Sequence, residues 1–80
     1  ITEQLRTIGG DLFLPDDHAE RLANSLHEVG VHPDETMQSI FSAANQVASH
    51  NHRLLTQNKN PTDYDLGVII FITHKNYFFL

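Results

Sequence analysis

Apolar residues first recur at helical spacing a quarter of the way along the chain. Asp17 followed by Glu20 matches a capping box, in which the two carboxylates satisfy backbone amides of a first helical turn. Gly30 supplies the left-handed residue that commonly ends a helix. The pattern predicts a first helix over 17–29. Its apolar stripe at spacings of three and four is Ala19, Leu22, Ala23, Leu26 and Val29.

A second and longer apolar stripe follows a short break. Pro33 suits a first helical turn, where its missing amide would have had no partner. The stripe predicts a second helix over 34–57, which is the longest element of the chain. Its apolar members are Met37, Ile40, Phe41, Ala44, Val47, Ala48, Leu54 and Leu55.

The residues ahead of the first helix carry weaker patterns. Ile1, Leu5 and Ile8 have helical spacing, but the following glycine pair limits them to two turns of marginal helix at most. The residues 11–14 predict a short strand, since Pro15 cannot continue a hydrogen-bonded ladder.

The C-terminal part of the chain changes period. A continuous apolar, β-branched run over 64–74 predicts a strand covered on both faces. A turn at 74–76 would let residues 77–80 fold back on this strand as a hairpin. The alternative is a short final helix, because Thr62 and Asp65 form another capping box; the layout would then resemble a histone fold. Gly67 counts against that helix by about 1 kcal/mol relative to alanine.

The elements together predict one small α+β domain over 1–80, mainly helical, with two core helices, a short N-terminal strand and a C-terminal strand or hairpin. A chain of 80 residues buries only a modest share of its surface, so a homodimer is expected to help stabilise it. The side chains expected at an interface with a second copy or another protein are Phe41, Val47, Ile70, Ile72, Tyr77, Phe78 and Phe79.

Charge narrows the classes of partner. The net charge is −5, and the five basic residues are scattered rather than clustered, which disfavours non-specific binding to nucleic acid or membranes. The longest apolar run is too short to span a membrane, and no signal pattern opens the chain. The chain has no cysteine, so disulfides and thiolate metal sites are excluded. We expect a cytoplasmic protein.

The chain offers little catalytic chemistry. Six histidines invite a metal site, but His50 and His52 point to different sides of the predicted helix and have no ligand partner at suitable spacing. The acidic pairs at 16–17 and 63–65 are typical of helix caps and strand starts. No nucleophile elbow or phosphate-binding glycine loop occurs. The sequence therefore predicts neither an enzyme nor a cofactor.

The junction between the two predicted helices carries a family resemblance. Gly30, Val31, Pro33 and Glu35 match the corner of ribbon-helix-helix repressors and of antitoxins built on that fold, and the resemblance covers about residues 11–50. In that family a short strand pairs with its dimer mate and presents basic or polar side chains to DNA. The resemblance implies a dimeric DNA-binding regulator of transcription or an antitoxin.

Two functional classes follow from these patterns. The first is a non-enzymatic, acidic protein-binding module, such as an inhibitor, adaptor or assembly subunit, acting through its helix and hairpin surfaces. The second is the DNA-binding regulator. Asp11 is evidence against this class, because an aspartate on the strand would be repelled by phosphates. The arrangement of basic residues in three dimensions should discriminate between them.

Overall fold

The computed structural model describes residues 1–57, 64–73 and 76–80. Two helices pack on one face of an antiparallel sheet with strand order β2-β1-β3-β4. The fold is therefore α+β, as predicted, although it contains more strand than the sequence indicated. The elements are β1 (Thr2–Ile8), β2 (Asp11–Leu12), α1 (Pro15–Val29), α2 (Met37–Leu55), β3 (Gly67–Ile72) and β4 (Tyr77–Phe79).

The first eight residues form the central strand β1 rather than the predicted helical turns. Glu3, Leu5 and Thr7 alternate inward at the period of a strand. Glu3 pairs with Ile70 and Leu5 with Val68 of β3. The helical prediction was wrong because the long-range pairing with β3 outweighs a local pattern of only three apolar residues.

Both boundaries of α1 follow from backbone conformation. The helix begins at Pro15, and its N-cap is Leu14, which makes no side-chain capping bond. The predicted capping box of Asp17 and Glu20 is therefore wrong, since Pro15 already occupies the first helical position. The end at Gly30 is confirmed, with φ 75° and the glycine N–H bonded to the His27 carbonyl.

Helix α2 is shorter than predicted at both ends. It begins at Met37, where the Thr36 hydroxyl accepts a hydrogen bond from the Ser39 N–H at 3.1 Å. Pro33 therefore lies in the loop before the helix and not in its first turn. A hydroxyl cap supplies the acceptor that the exposed amides of a first turn need, which favours Thr36 as the start.

The C-terminal hairpin is confirmed, and the alternative of a final helix is wrong for the described residues. β3 pairs with β4 in the register Ile70–Phe79, Phe71–Phe78 and Ile72–Tyr77. Residues 74–75 of the predicted turn and residues 58–63, which include Thr62 of the alternative capping box, lie outside the described residues. β3 is not buried on both faces, because its burial alternates: Val68, Ile70 and Ile72 are buried and Ile69 and Phe71 are half-buried.

The core lies between the helices and the inner face of the sheet. Leu22, Ile40 and Ile70 are fully buried at its centre. Three members of the predicted helical stripes fall outside this core, since Val29, Val47 and Leu54 are 59%, 45% and 54% exposed. The remaining members of the core are Leu5, Leu12, Leu26, Val31, Phe41, Ala44, Ala48, Val68 and Ile72.

Candidate functional site

An apolar groove of about 490 Å³ runs between α2 and the C-terminal hairpin. Asn51 is the only polar side chain among its described lining residues. The helix contributes one wall and the hairpin the other. The lining residues are Ala44, Val47, Ala48, Asn51, Leu54, Leu55, Leu66, Gly67, Val68, Phe79 and Leu80.

The helical wall arises from two neighbouring stripes on α2. Ala44 and Ala48 face the core and are buried, and their short side chains leave space above them. Val47, Leu54 and Leu55 lie beside this stripe and remain 45–54% exposed. The alanines therefore form part of the groove floor, and the larger aliphatic side chains form its rim.

The hairpin wall comes from the ends of β3 and β4 that face the C-terminal half of α2. Val68 is buried beneath the groove, while Gly67 carries no side chain to fill it. Phe79 is half-buried and Leu80 is 78% exposed. Water therefore reaches an aliphatic and aromatic surface that is continuous with the core.

The outer face of the sheet is polar on one side and apolar on the other. On β1 this face presents Thr2, Gln4 and Arg6, all exposed. On the hairpin it presents half-buried Ile69 and Phe71, together with Phe78, which is 54% exposed. An antiparallel sheet with one solvated face usually turns polar side chains outward. The hairpin departs from this rule on its outer face.

The structure places the seven residues predicted at an interface in four different settings. Phe41, Ile70 and Ile72 are buried within the chain itself. Val47 and Phe79 line the groove. Phe78 is exposed on the outer sheet face, and half-buried Tyr77 donates a hydrogen bond to Glu35 Oε2 at 2.9 Å.

Sequence reasoning missed the groove as a unit. It placed Val47, Leu54 and Leu55 in the same apolar stripe as the buried residues, because their spacing matches, and predicted only Val47 of the three at an interface. The available signal was the width of the apolar stripe on α2, which exceeds what one packed face needs. The hairpin wall could not be placed, because its position depends on long-range pairing.

One polar cluster lies between α1 and β1. Buried Glu3 accepts a hydrogen bond from His18 Nδ1 at 2.9 Å, and Arg21 Nε lies 3.7 Å from the same carboxylate oxygen. This cluster ties α1 to β1. Among the described residues, no three His, Asp or Glu side chains form a group that could hold a metal ion.

A second polar cluster joins α2 to the turn between β1 and β2. Asn45 Oδ1 accepts from the Leu12 N–H at 2.9 Å, and the Ser49 hydroxyl donates to the Gly10 carbonyl at 2.8 Å. The Asp11 carboxylate lies 3.5 Å from both the Asn45 amide and the Ser49 hydroxyl. β2 thus packs on α2 and pairs with β1 of the same chain.

The three basic side chains in the described part of the chain lie on different elements. Arg6 on the outer sheet face lies 5.6 Å from the ring centroid of Phe13. Arg21 lies beside Glu3 on α1, and Arg53 lines a polar hollow at the Gly9–Gly10 turn. The outward surface of α1 is acidic, with Asp16, Asp17, Glu20 and Glu28 exposed. These positions do not form one basic face.

Neither described helix has the length and apolar character needed to cross a membrane. We compared the chain with protein-family models, curated proteins and solved structures, and none of the three comparisons gave a match.

Proposed function

We propose that the protein is a non-enzymatic protein-binding module that holds an apolar segment of a partner protein in the groove between α2 and the hairpin. The observation that supports this proposal is the groove itself: a concave surface beside the core, in which Asn51 is the single polar side chain among the described lining residues. Exposed apolar surface that is both contiguous and concave is typical of binding sites in small proteins.

The chemistry of the lining defines the class of ligand. Ala44, Ala48 and Val68 offer only aliphatic contact, and Phe79 adds an aromatic ring. Binding to such a surface gains free energy mainly from the burial of apolar area. The surface offers few groups that could orient a polar or charged small molecule. A helix or extended segment with two or three large apolar side chains fits these properties.

Charge supports a protein partner over DNA. The net charge of −5 and the separation of Arg6, Arg21 and Arg53 on three elements provide no described basic surface for phosphates. The alternative ribbon-helix-helix regulator would need its strand to face DNA. In this chain the strand residue Asp11 lies against Asn45 and Ser49.

The test uses the intact chain as bait in a lysate of its source organism, followed by mass spectrometry and reconstitution with the purified partner. Leu54→Lys places a charge on the groove rim. Ser42→Lys places the same charge on an exposed position of the same helix that does not line the groove. We expect the partner on native and Ser42→Lys bait, and at least about tenfold weaker binding to Leu54→Lys, which is about 1.4 kcal/mol.

Two outcomes would overturn the proposal. One is a partner whose affinity is the same for native and Leu54→Lys chains. The other is binding of the native chain to random duplex DNA that weakens steeply as salt is raised, which is the behaviour of a phosphate-binding protein. The lysine in Leu54→Lys would not weaken such DNA binding, so the two functions respond differently to one variant.

A further inference from the structure

The outer edge of the hairpin carries unused backbone hydrogen-bonding groups. Leu80 and Ile69 exchange two backbone hydrogen bonds, at 2.8 and 2.9 Å. In an antiparallel ladder such bonded pairs alternate with pairs that are not bonded. Tyr77 and Phe79, opposite Ile72 and Ile70, therefore direct their N–H and C=O groups away from β3, toward the open side of β4.

β4 is short, with three residues, but this edge lacks the other features that usually prevent strand addition. Over their described ranges, β3 and β4 contain no charged residue and no proline, whereas natural edge strands are commonly protected by such residues. The other open stretch of the sheet, at Thr2–Gln4 beyond the short β2, has polar outer side chains and the Glu3 carboxylate. The hairpin edge is therefore the one suited to pairing.

We propose that two copies of the chain associate along β4, antiparallel and about a two-fold axis at Phe78. In this register Tyr77 lies opposite Phe79 of the partner subunit, and Phe79 lies opposite Tyr77 of the partner subunit. Each of these two pairs exchanges two backbone hydrogen bonds, so four bonds form and every described residue of β4 takes part. The result is one continuous eight-stranded sheet.

The edge of β4 is self-complementary, and for this reason we assign a second copy of the chain as its partner. A two-fold contact brings the same surface together from both subunits, so a charged edge would repel itself. The side chains of β4 itself are all uncharged, although the whole chain is acidic. Phe78 lies opposite Phe78 of the partner subunit on the outer face, as a non-hydrogen-bonded pair. Side chains of such pairs lie closer together than those of hydrogen-bonded pairs, and aromatic cross-strand pairs are favourable.

The dimer also extends the apolar half of the outer sheet face. Phe71 pairs with Phe78 within one chain, and the two-fold axis joins this aromatic row to its copy. A contact built on three residues per strand is small, so we expect a reversible dimer that depends on concentration. This inference concerns the edge of β4 and goes beyond the groove of the proposed function; variants at Leu54 and at Phe78 test the two separately.

The first experiment is analytical ultracentrifugation of the native chain from about 1 μM to 1 mM, a range that covers weak and moderate dimers. Phe78→Lys brings two lysines together at the axis and should weaken dimerisation at least about tenfold. Gln4→Lys carries the same charge on the outer face of β1 and should leave the dimer unchanged. A native chain that is monomeric throughout this range, or a Phe78→Lys dimer of native strength, overturns the proposal.

The second experiment tests the register and does not depend on the lysine variant folding. The chain has no cysteine, so Phe78→Cys has one thiol, which the axis places opposite its copy at a distance suited to a disulfide. Under mild oxidation we expect a disulfide-linked dimer of Phe78→Cys and little from Gln4→Cys. Equal cross-linking of the two variants would show random collision and would overturn the register.

Discussion

Gly10 lies directly against the imidazole ring of the buried His52. A Cβ atom on Gly10 would come 2.9 Å from His52 Nδ1 and 3.3 Å from its Cγ. The glycine also has φ +95°, a conformation that residues with a side chain rarely adopt. The close approach fixes the turn between β1 and β2 on the C-terminal half of α2.

Gly10→Ala should therefore destabilise the fold for two reasons, the steric contact and the positive φ. We expect a loss of about 2–4 kcal/mol in the free energy of unfolding, measured by urea denaturation. Gly9→Ala is the matched control, because Gly9 also has positive φ but nothing lies within 4 Å of its added Cβ. It should lose only about 1 kcal/mol. Equal losses in the two variants would contradict the packing against His52.

The helices and the hairpin could be predicted from the sequence because their signals are local. Gly30 ends α1 by its backbone conformation, and the β-branched residues of β3 favour a strand over a helix. β1 could not be predicted. Its inward residues Glu3 and Thr7 are polar, and their burial depends on partners distant in sequence, His18 for Glu3 and the Leu66 N–H for the Thr7 hydroxyl.

Only part of the groove could be predicted from the sequence. The apolar character of Val47 and Leu54 is evident in the sequence, but spacing cannot distinguish a side chain at the core from one at the rim of a groove. That distinction depends on where the hairpin lies relative to α2. It therefore requires the sheet register.

Phe41 and Val47 provide a direct comparison of core and rim on one helix. Phe41 is 6% exposed and Val47 is 45% exposed. Phe41→Ala should cost about 3–5 kcal/mol of stability because it leaves a cavity in the core. Val47→Ala should cost less than about 1 kcal/mol, since much of its side chain already contacts water. Thermal or urea denaturation of both variants tests this contrast, and similar losses would contradict the position of Val47 on the groove.

Glu3 tests the polar contact between β1 and α1. Its side chain is about 10% exposed and accepts from His18 Nδ1. Glu3→Ala leaves that nitrogen without its acceptor in a partly buried position, which should cost about 1–3 kcal/mol. Glu3→Gln keeps an oxygen acceptor and should lose less. Gln4→Ala, at the exposed neighbouring position, is the control and should change stability by less than about 0.5 kcal/mol. If Gln4→Ala lost as much stability as Glu3→Ala, the effect would come from the strand and not from the contact with His18.

Leu14 tests backbone strain at the start of α1. It is a non-glycine residue with φ 52° and ψ 51°, and its side chain is 51% exposed. The left-handed conformation costs an L-residue about 1–2 kcal/mol. A β-branched side chain fits it least well, so Leu14→Val should be less stable than Leu14→Gly by about 1–2 kcal/mol. Denaturation midpoints in the opposite order would show that this conformation does not persist in solution.

Tyr77 links the hairpin to the loop between the helices and provides a prediction in alkaline solution. Its hydroxyl donates to Glu35 Oε2, and Glu35 also accepts from the Ser39 hydroxyl at 3.2 Å. The hydrogen bond to Glu35, followed by burial and the negative charge of that carboxylate, raises the pKa of the Tyr77 phenol above its ordinary value of 10.0. Ionisation would remove the donated proton and place two negative charges together.

The sign of the effect on stability follows from this raised pKa. The folded chain holds the Tyr77 proton more tightly than the unfolded chain does, so the contact contributes its full stability below the ordinary pKa of 10.0 and loses it as the pH rises through the raised value. The difference in stability between native chain and Tyr77→Phe should be constant below pH 10.0 and should shrink as the pH rises from there through the raised pKa. Titration of phenolate absorbance, assigned with Tyr77→Phe, measures the pKa directly. Glu35→Gln should return the pKa toward its ordinary value, and an unchanged pKa in that variant would show that Glu35 is not its cause.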